Sequence, residues 1–159
     1  MGHSEPFAFD DDYRAAHGIT RFLTGTPSIL ALAALDAGLA SFDGIAMSDI
    51  AAKSRALSQI FIDEVEARCG SQVRLASPRD PAQRGSHVVF ARPESYAVMQ
   101  ALIARGVIGD FRAPDLMRFG FAPLYNRFAE VVRAAEILGG ILDSRDWDQP
   151  RFKERAKVT

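Results

Sequence analysis

The apolar pattern of this chain changes period at Gly70, and that change constrains the fold more than any other feature. Upstream, apolar residues recur at helical spacing. Ile29, Leu30, Leu32, Leu35 and Leu39 follow Thr26-Pro27, where threonine suits a helix cap and proline the first helical position. They cover so much of that helix that burial on more than one side is expected. Ile50, Leu57, Ile60, Phe61, Ile62 and Val65 predict a second helix over residues 48–68, stopped by Gly70. Downstream the period falls toward two. Residues 72–75 and 87–90 alternate like strands on either side of a polar, proline-containing loop at 77–85. Pro93-Glu94 opens a helix that runs to Ala104. Short strands are expected at 107–108 and 116–121, joined by the turn-like Arg112-Ala113-Pro114-Asp115. Residues 128–142 predict the last long helix and 147–157 a short helical tail. The order α-α-β-β-α-β-β-α implies an α+β fold, with helices packed on a small, mainly antiparallel sheet.

A chain of 159 residues, 48% of them hydrophobic, can bury one core without disulfides or metal. Its net charge of -1 gives no overall basic field, so neither nucleic acid nor a membrane surface is an expected partner. No apolar run approaches the roughly 18 residues of a membrane span. The first 13 residues are acidic and lack the basic-then-apolar order of a secretory signal. Cys69 is the single cysteine and cannot form an internal disulfide, which fits a reducing cytoplasm. Residues 1–20 carry little periodicity. Glu5-Pro6 and the run Asp10, Asp11, Asp12 read as an exposed, irregular lead-in, so residues 1–26 are expected to be a segment connecting to another domain and 27–159 the folded domain.

Arg118 is the first candidate functional residue. It sits in a short apolar strand beside Met117, Phe119 and Phe121, and a guanidinium buried there would need an anionic partner. The plainer reading is a strand-edge arginine reaching solvent. Gly120, two residues on, would leave space for a ligand, and the planar fork of arginine suits a carboxylate. The second candidate is Thr24-Gly25-Thr26-Pro27. It is a helix cap, or a cap that also faces an anion at the helix N-terminus. His3, His17 and His87 are scattered and share no ligand spacing with Cys69, so no metal site is expected. Arg112, Arg127 and Arg133 lack the interleaved aromatics of a nucleic-acid surface. Lys53, Lys153 and Lys157 lie in no apolar pocket that would lower a lysine pKa for imine chemistry, and no catalytic residue is assigned.

Several stretches resemble the C-terminal part of the kynureninases. MGHSEPFAF resembles the segment that follows a Gly-Trp pair in that family, and ITRFLTGTPSIL its (R)FL-x-GTP-x-IL segment. RDPAQRGSHVVF is similar to its RGSHVSF-like strand and WDQPRFKERAKVT to its tail, while YAVMQALIARGVIGDFRAPDLMRFGFAPLY carries the family's LMRFGF strand. The likeness runs nearly the full chain. It implies the small C-terminal domain of a pyridoxal-phosphate enzyme of the aminotransferase class V type, homodimeric and with a large cofactor domain. Such enzymes hydrolyse L-kynurenine and 3-hydroxykynurenine to anthranilate and L-alanine in tryptophan breakdown. By resemblance, Arg118 holds the substrate α-carboxylate and Thr26 contacts the cofactor phosphate. The family's Schiff-base lysine, the aspartate facing the pyridine nitrogen and most of the phosphate cup correspond to sequence before Met1. The chain alone is therefore expected to be inactive, working with a missing N-terminal half or as a homodimer. Ser95, Ala122 and Val132 stand where the family is expected to carry glycine, threonine and tryptophan. Two alternatives remain beside the resemblance: a stand-alone module binding an amino or keto acid through Arg118, and a decayed remnant whose apolar helices lack their partner.

Overall fold

A computed structural model of the chain describes residues 2–8 and 11–154, so Asp10 and Lys157 lie outside the described residues. Two compact units are present, Met1–Ile45 and Ala46–Thr159.

In the first unit most of the described lead-in is exposed and without regular structure, and its own backbone ties it together at one point. His3 and Ala15 form an antiparallel bridge. The amide of Ser4 donates to the Arg14 carbonyl at 2.7 Å and that of Ala16 to the Gly2 carbonyl at 2.8 Å, with the Tyr13 hydroxyl on the same Gly2 oxygen at 2.9 Å. Gly2 takes φ +73°, and a Cβ there would fall 2.5 Å from the Arg21 carbonyl oxygen. Only glycine permits that approach. After a 3-10 turn at Gly18–Phe22 comes helix α1, Ile29–Leu39. Its cap is Ser28, whose hydroxyl accepts from the Ala31 amide at 3.4 Å, so Thr26 precedes the cap instead of forming it. The expected burial of α1 is also absent: none of its residues is buried, and Leu30 is 84% exposed. The apolar pattern sets a helix, but burial needs a facing surface that the pattern cannot itself supply.

The second unit is a sheet covered on one face by helices, as its order of elements implies. Helix α2 spans Met47–Cys69 and ends at Gly70, whose φ of +50° favours glycine. Strands β1 (Arg74–Leu75) and β2 (His87–Ala91) follow, then α3 (Ser95–Ala104), β3 (Asp110–Arg112) and β4 (Leu116–Gly120). Helices α4 (Phe128–Ser144) and α5 (Pro150–Lys153) complete it. All strand pairs are antiparallel, in the order β1-β2-β4-β3. Alternation places Val88, Phe90, Met117 and Phe119 on the inner face, where they pack with Leu57, Phe61, Leu102 and Leu138 in one core. The Phe61 ring lies 4.8 Å from Phe119 and 6.1 Å from Phe90. The strand expected at 107–108 does not form. The Val107 amide instead donates to the Leu102 carbonyl at 3.0 Å and closes the end of α3, so β3 begins three residues later. No single described helix is long and apolar enough to cross a membrane.

Candidate functional site

β2, β4 and β3 carry the candidate site on the sheet face opposite the core. The same alternation that turns Met117 and Phe119 inward turns Arg118 outward. Arg118 is therefore not buried among its apolar neighbours, as its sequence setting suggests, but about half-exposed on the open face. Register sets it directly opposite Asp110 on β3 and Val89 on β2. The Arg118 Nε and Nη2 atoms both donate to Asp110 Oδ2, at 2.9 and 2.5 Å. Arg112 Nε donates to the other carboxylate oxygen at 3.2 Å.

The anionic partner that sequence reasoning asks for is thus part of the chain itself. Desolvation of the Asp110 carboxyl favours its neutral form and is the largest single influence. The hydrogen bond and charge of Arg118, with those of Arg112, together outweigh it and hold Asp110 below the usual carboxylate range.

Around this pair lies an open cleft of about 640 Å³, lined by His87, Ile108, Gly120, Phe121 and Tyr125 as well as by Asp110 and Arg118. A Cβ added at Gly120 would meet nothing within 4 Å, so the space expected beside Arg118 is present. Tyr125 reaches the rim because the chain turns tightly before α4. The Asn126 side-chain oxygen accepts from the Ala122 amide at 2.7 Å, and the Ala122 carbonyl accepts from the Asn126 amide at 2.8 Å. The Glu130 carboxylate then accepts from the Arg127 amide at 2.9 Å and steadies the first turn of α4.

Thr26 lies in the first unit and Arg118 in the second. Thr26 is exposed, and its hydroxyl makes no hydrogen bond among the described residues. Lys53 is half-buried on α2, while Lys153 is paired with Asp148 and lies 5.8 Å from the Trp147 ring. Asp110 is the residue that sequence reasoning misses. Its signal is the hairpin itself: with the turn centred on Ala113-Pro114-Asp115, residue 112 faces 116 and residue 110 faces 118.

The second unit is thus a small α+β domain with one oriented guanidinium in an open, part-apolar cleft, an arrangement whose chemistry suits a carboxylate. Comparison with known families is more specific. Residues 50–138 match the kynureninase C-terminal domain. The chain is 50% identical over 160 residues to a kynureninase from Pseudomonas fluorescens, a match that covers all of this chain and 38% of that protein. It is 48% identical over 159 residues to kynureninases of Burkholderia mallei and Burkholderia pseudomallei, covering 99% of this chain and again 38% of theirs. The chain belongs to the kynureninase family and spans about two fifths of the length of these relatives.

Proposed function

We propose that this chain supplies the carboxylate-binding part of a pyridoxal-phosphate-dependent kynureninase. That enzyme adds water across the Cβ–Cγ bond of L-kynurenine, or of its 3-hydroxy form, and yields anthranilate and L-alanine in tryptophan breakdown. The observation that carries the reading is Arg118, held on the open sheet face beside a glycine that leaves its approach clear. In this role Arg118 binds the α-carboxylate and fixes the amino-acid end of the substrate, so that the bonds to be broken are presented in one orientation. Asp110 stays ionised and keeps the guanidinium from swinging to solvent.

The residues present fit part of the cofactor. Thr26 offers an uncommitted hydroxyl, and a Cβ on the preceding Gly25 would meet nothing within 4 Å. The first amides of α1 have no acceptor within the helix, which suits a phosphate. Thr26 therefore serves as one phosphate ligand in this reading. When bound, pyridoxal phosphate supplies the electron sink for the pair released at the substrate α-carbon.

Residues 1–26 serve as the connecting segment and 27–159 as the small domain of a larger, homodimeric enzyme that works in the cytoplasm. The exposed apolar residues of α1 are covered in that assembly. The lysine that couples to the cofactor is supplied from outside these 159 residues, and the chain alone does not turn over substrate. Calorimetric titration tests the reading. L-Kynurenine is expected to bind the chain, and Arg118→Ala to weaken that binding by about 1.5–3 kcal/mol, roughly ten- to hundredfold. Equal binding by the variant overturns the role of Arg118. After borohydride treatment with pyridoxal phosphate, stoichiometric labelling of one lysine overturns the inactivity.

A further inference from the structure

We infer that Asp110 is a positioning residue that takes the Nε–Nη2 edge of Arg118 and so reserves the Nη1–Nη2 edge for a ligand carboxylate. The inference rests on the carboxylate reading of the cleft. A guanidinium is planar and offers its five N–H donors along distinct edges. Here Nε and Nη2 converge on one oxygen, Asp110 Oδ2, at 2.9 and 2.5 Å. Nη1 has no partner among the described residues. The arrangement is enforced by the backbone, since Asp110 and Arg118 are register partners of β3 and β4. It is also braced from outside, since Arg112 Nε holds the second oxygen of the same carboxylate at 3.2 Å.

Two consequences favour a ligand over a closed ion pair. Arg112 and Arg118 bring two positive charges to one carboxylate, which leaves one in excess and attracts a second anion. Arg118, already fixed in one rotamer, loses less conformational freedom when that anion arrives. Gly120, beside it in the cleft, puts no side chain in the way. Asp110 thus orients the arginine without competing for the edge that the ligand uses.

The test reads the two edges of Arg118 separately by 15N side-chain NMR of the full chain, with acetate as the probe. Acetate is expected to move the Arg118 Nη signals and leave its Nε–H cross-peak in place. Asp110→Asn takes away the competing carboxylate and is expected to open the Nε–Nη2 edge, so that acetate now shifts the Nε–H cross-peak as well, while Asp110→Glu, which keeps the charge, restores the wild-type edge pattern. The recovery in Asp110→Glu, together with the wild-type edge pattern, decides the matter should Asp110→Asn fail to fold. The inference is overturned if acetate abolishes the wild-type Nε–H cross-peak, if it moves neither edge, or if it leaves the Nε–H cross-peak of Asp110→Asn as undisturbed as that of the wild type. A parallel titration compares L-kynurenine with kynuramine, which lacks the α-carboxylate. Should acetate behave as expected while these two bind equally, the positioning role stands and the kynurenine reading falls.

Discussion

Gly109 and Arg118 meet backbone to backbone: a Cβ on Gly109 would lie 2.8 Å from the Arg118 carbonyl oxygen and 2.9 Å from Met99 Cε. The methionine tip can move aside, but the carbonyl belongs to an interior strand of the sheet and cannot. Asp110 follows immediately, so the same approach sets the distance between the carboxylate and the guanidinium. Gly109→Ala is expected to destabilise the chain by about 1–3 kcal/mol and to weaken carboxylate binding with it. Urea unfolding and acetate titration of one sample check both. An unchanged midpoint with unchanged binding would mean that β3 and β4 separate here at no cost.

Gly120, on β4 two residues beyond Arg118, gives the opposite case. Its Cβ direction is open, so Gly120→Val meets no clash at Cβ and gains the strand preference of a β-branched residue. Thermal stability should stay within about 0.5 kcal/mol of wild type or rise slightly. The valine fills cleft space beside Arg118, and L-kynurenine binding should fall. A variant that binds as well as wild type would place the ligand elsewhere on the unit.

How much of this was legible in the sequence depends on what carries the information. Periodicity locates α2, α4, β2 and β4 because Leu57, Phe61, Ile62 and Val65, or Met117 and Phe119, each repeat on one buried face, while β3 escapes it. The same rule corrects the setting of Arg118. Adjacent strand residues point to opposite faces, so apolar neighbours at 117 and 119 argue for an exposed arginine. Other features have no periodic signal. Residues 2–4 and 14–16 pair through main-chain hydrogen bonds, which leave no repeating mark in the side chains. Thr26 and Ser28 are both good caps, and only the geometry selects Ser28. The exposure of α1 follows from what faces it, which its own residues do not encode.

Adjacent glycines near the end of α4 should respond differently to alanine. Gly140 is exposed, with nothing within 4 Å of its Cβ position, so Gly140→Ala removes backbone freedom from the unfolded chain. A gain of about 0.5–1 kcal/mol is expected. Gly139 faces α2, where an added Cβ would come 3.2 Å from the Arg68 Cβ. Arg68 also carries ion pairs to Glu64 and Glu136. Gly139→Ala therefore has to push the two helices apart and should lose the gain that Gly140→Ala makes. Denaturation midpoints of the two single variants decide the matter, and equal shifts would contradict the close helix contact.

Cys69 closes the buried face of α2 and is 2% exposed. Burial, chiefly, and the nearby Asp143 charge push its thiol up to about 11, against a smaller opposing pull from Arg92 and Arg68. The folded chain binds this proton more tightly than the unfolded chain, whose thiol releases it near its ordinary value of 9.0. The stability contributed is therefore fully present below that value and is lost as pH rises through the folded one. The loss amounts to about 2–3 kcal/mol at most from this group. The same shift leaves little thiolate at pH 8, so a thiol reagent should label Cys69 only as fast as the chain opens. Urea at sub-denaturing concentration should accelerate labelling in proportion to the unfolded fraction. Rapid labelling of the folded chain at pH 8, insensitive to urea, would show that the thiol reaches solvent without unfolding.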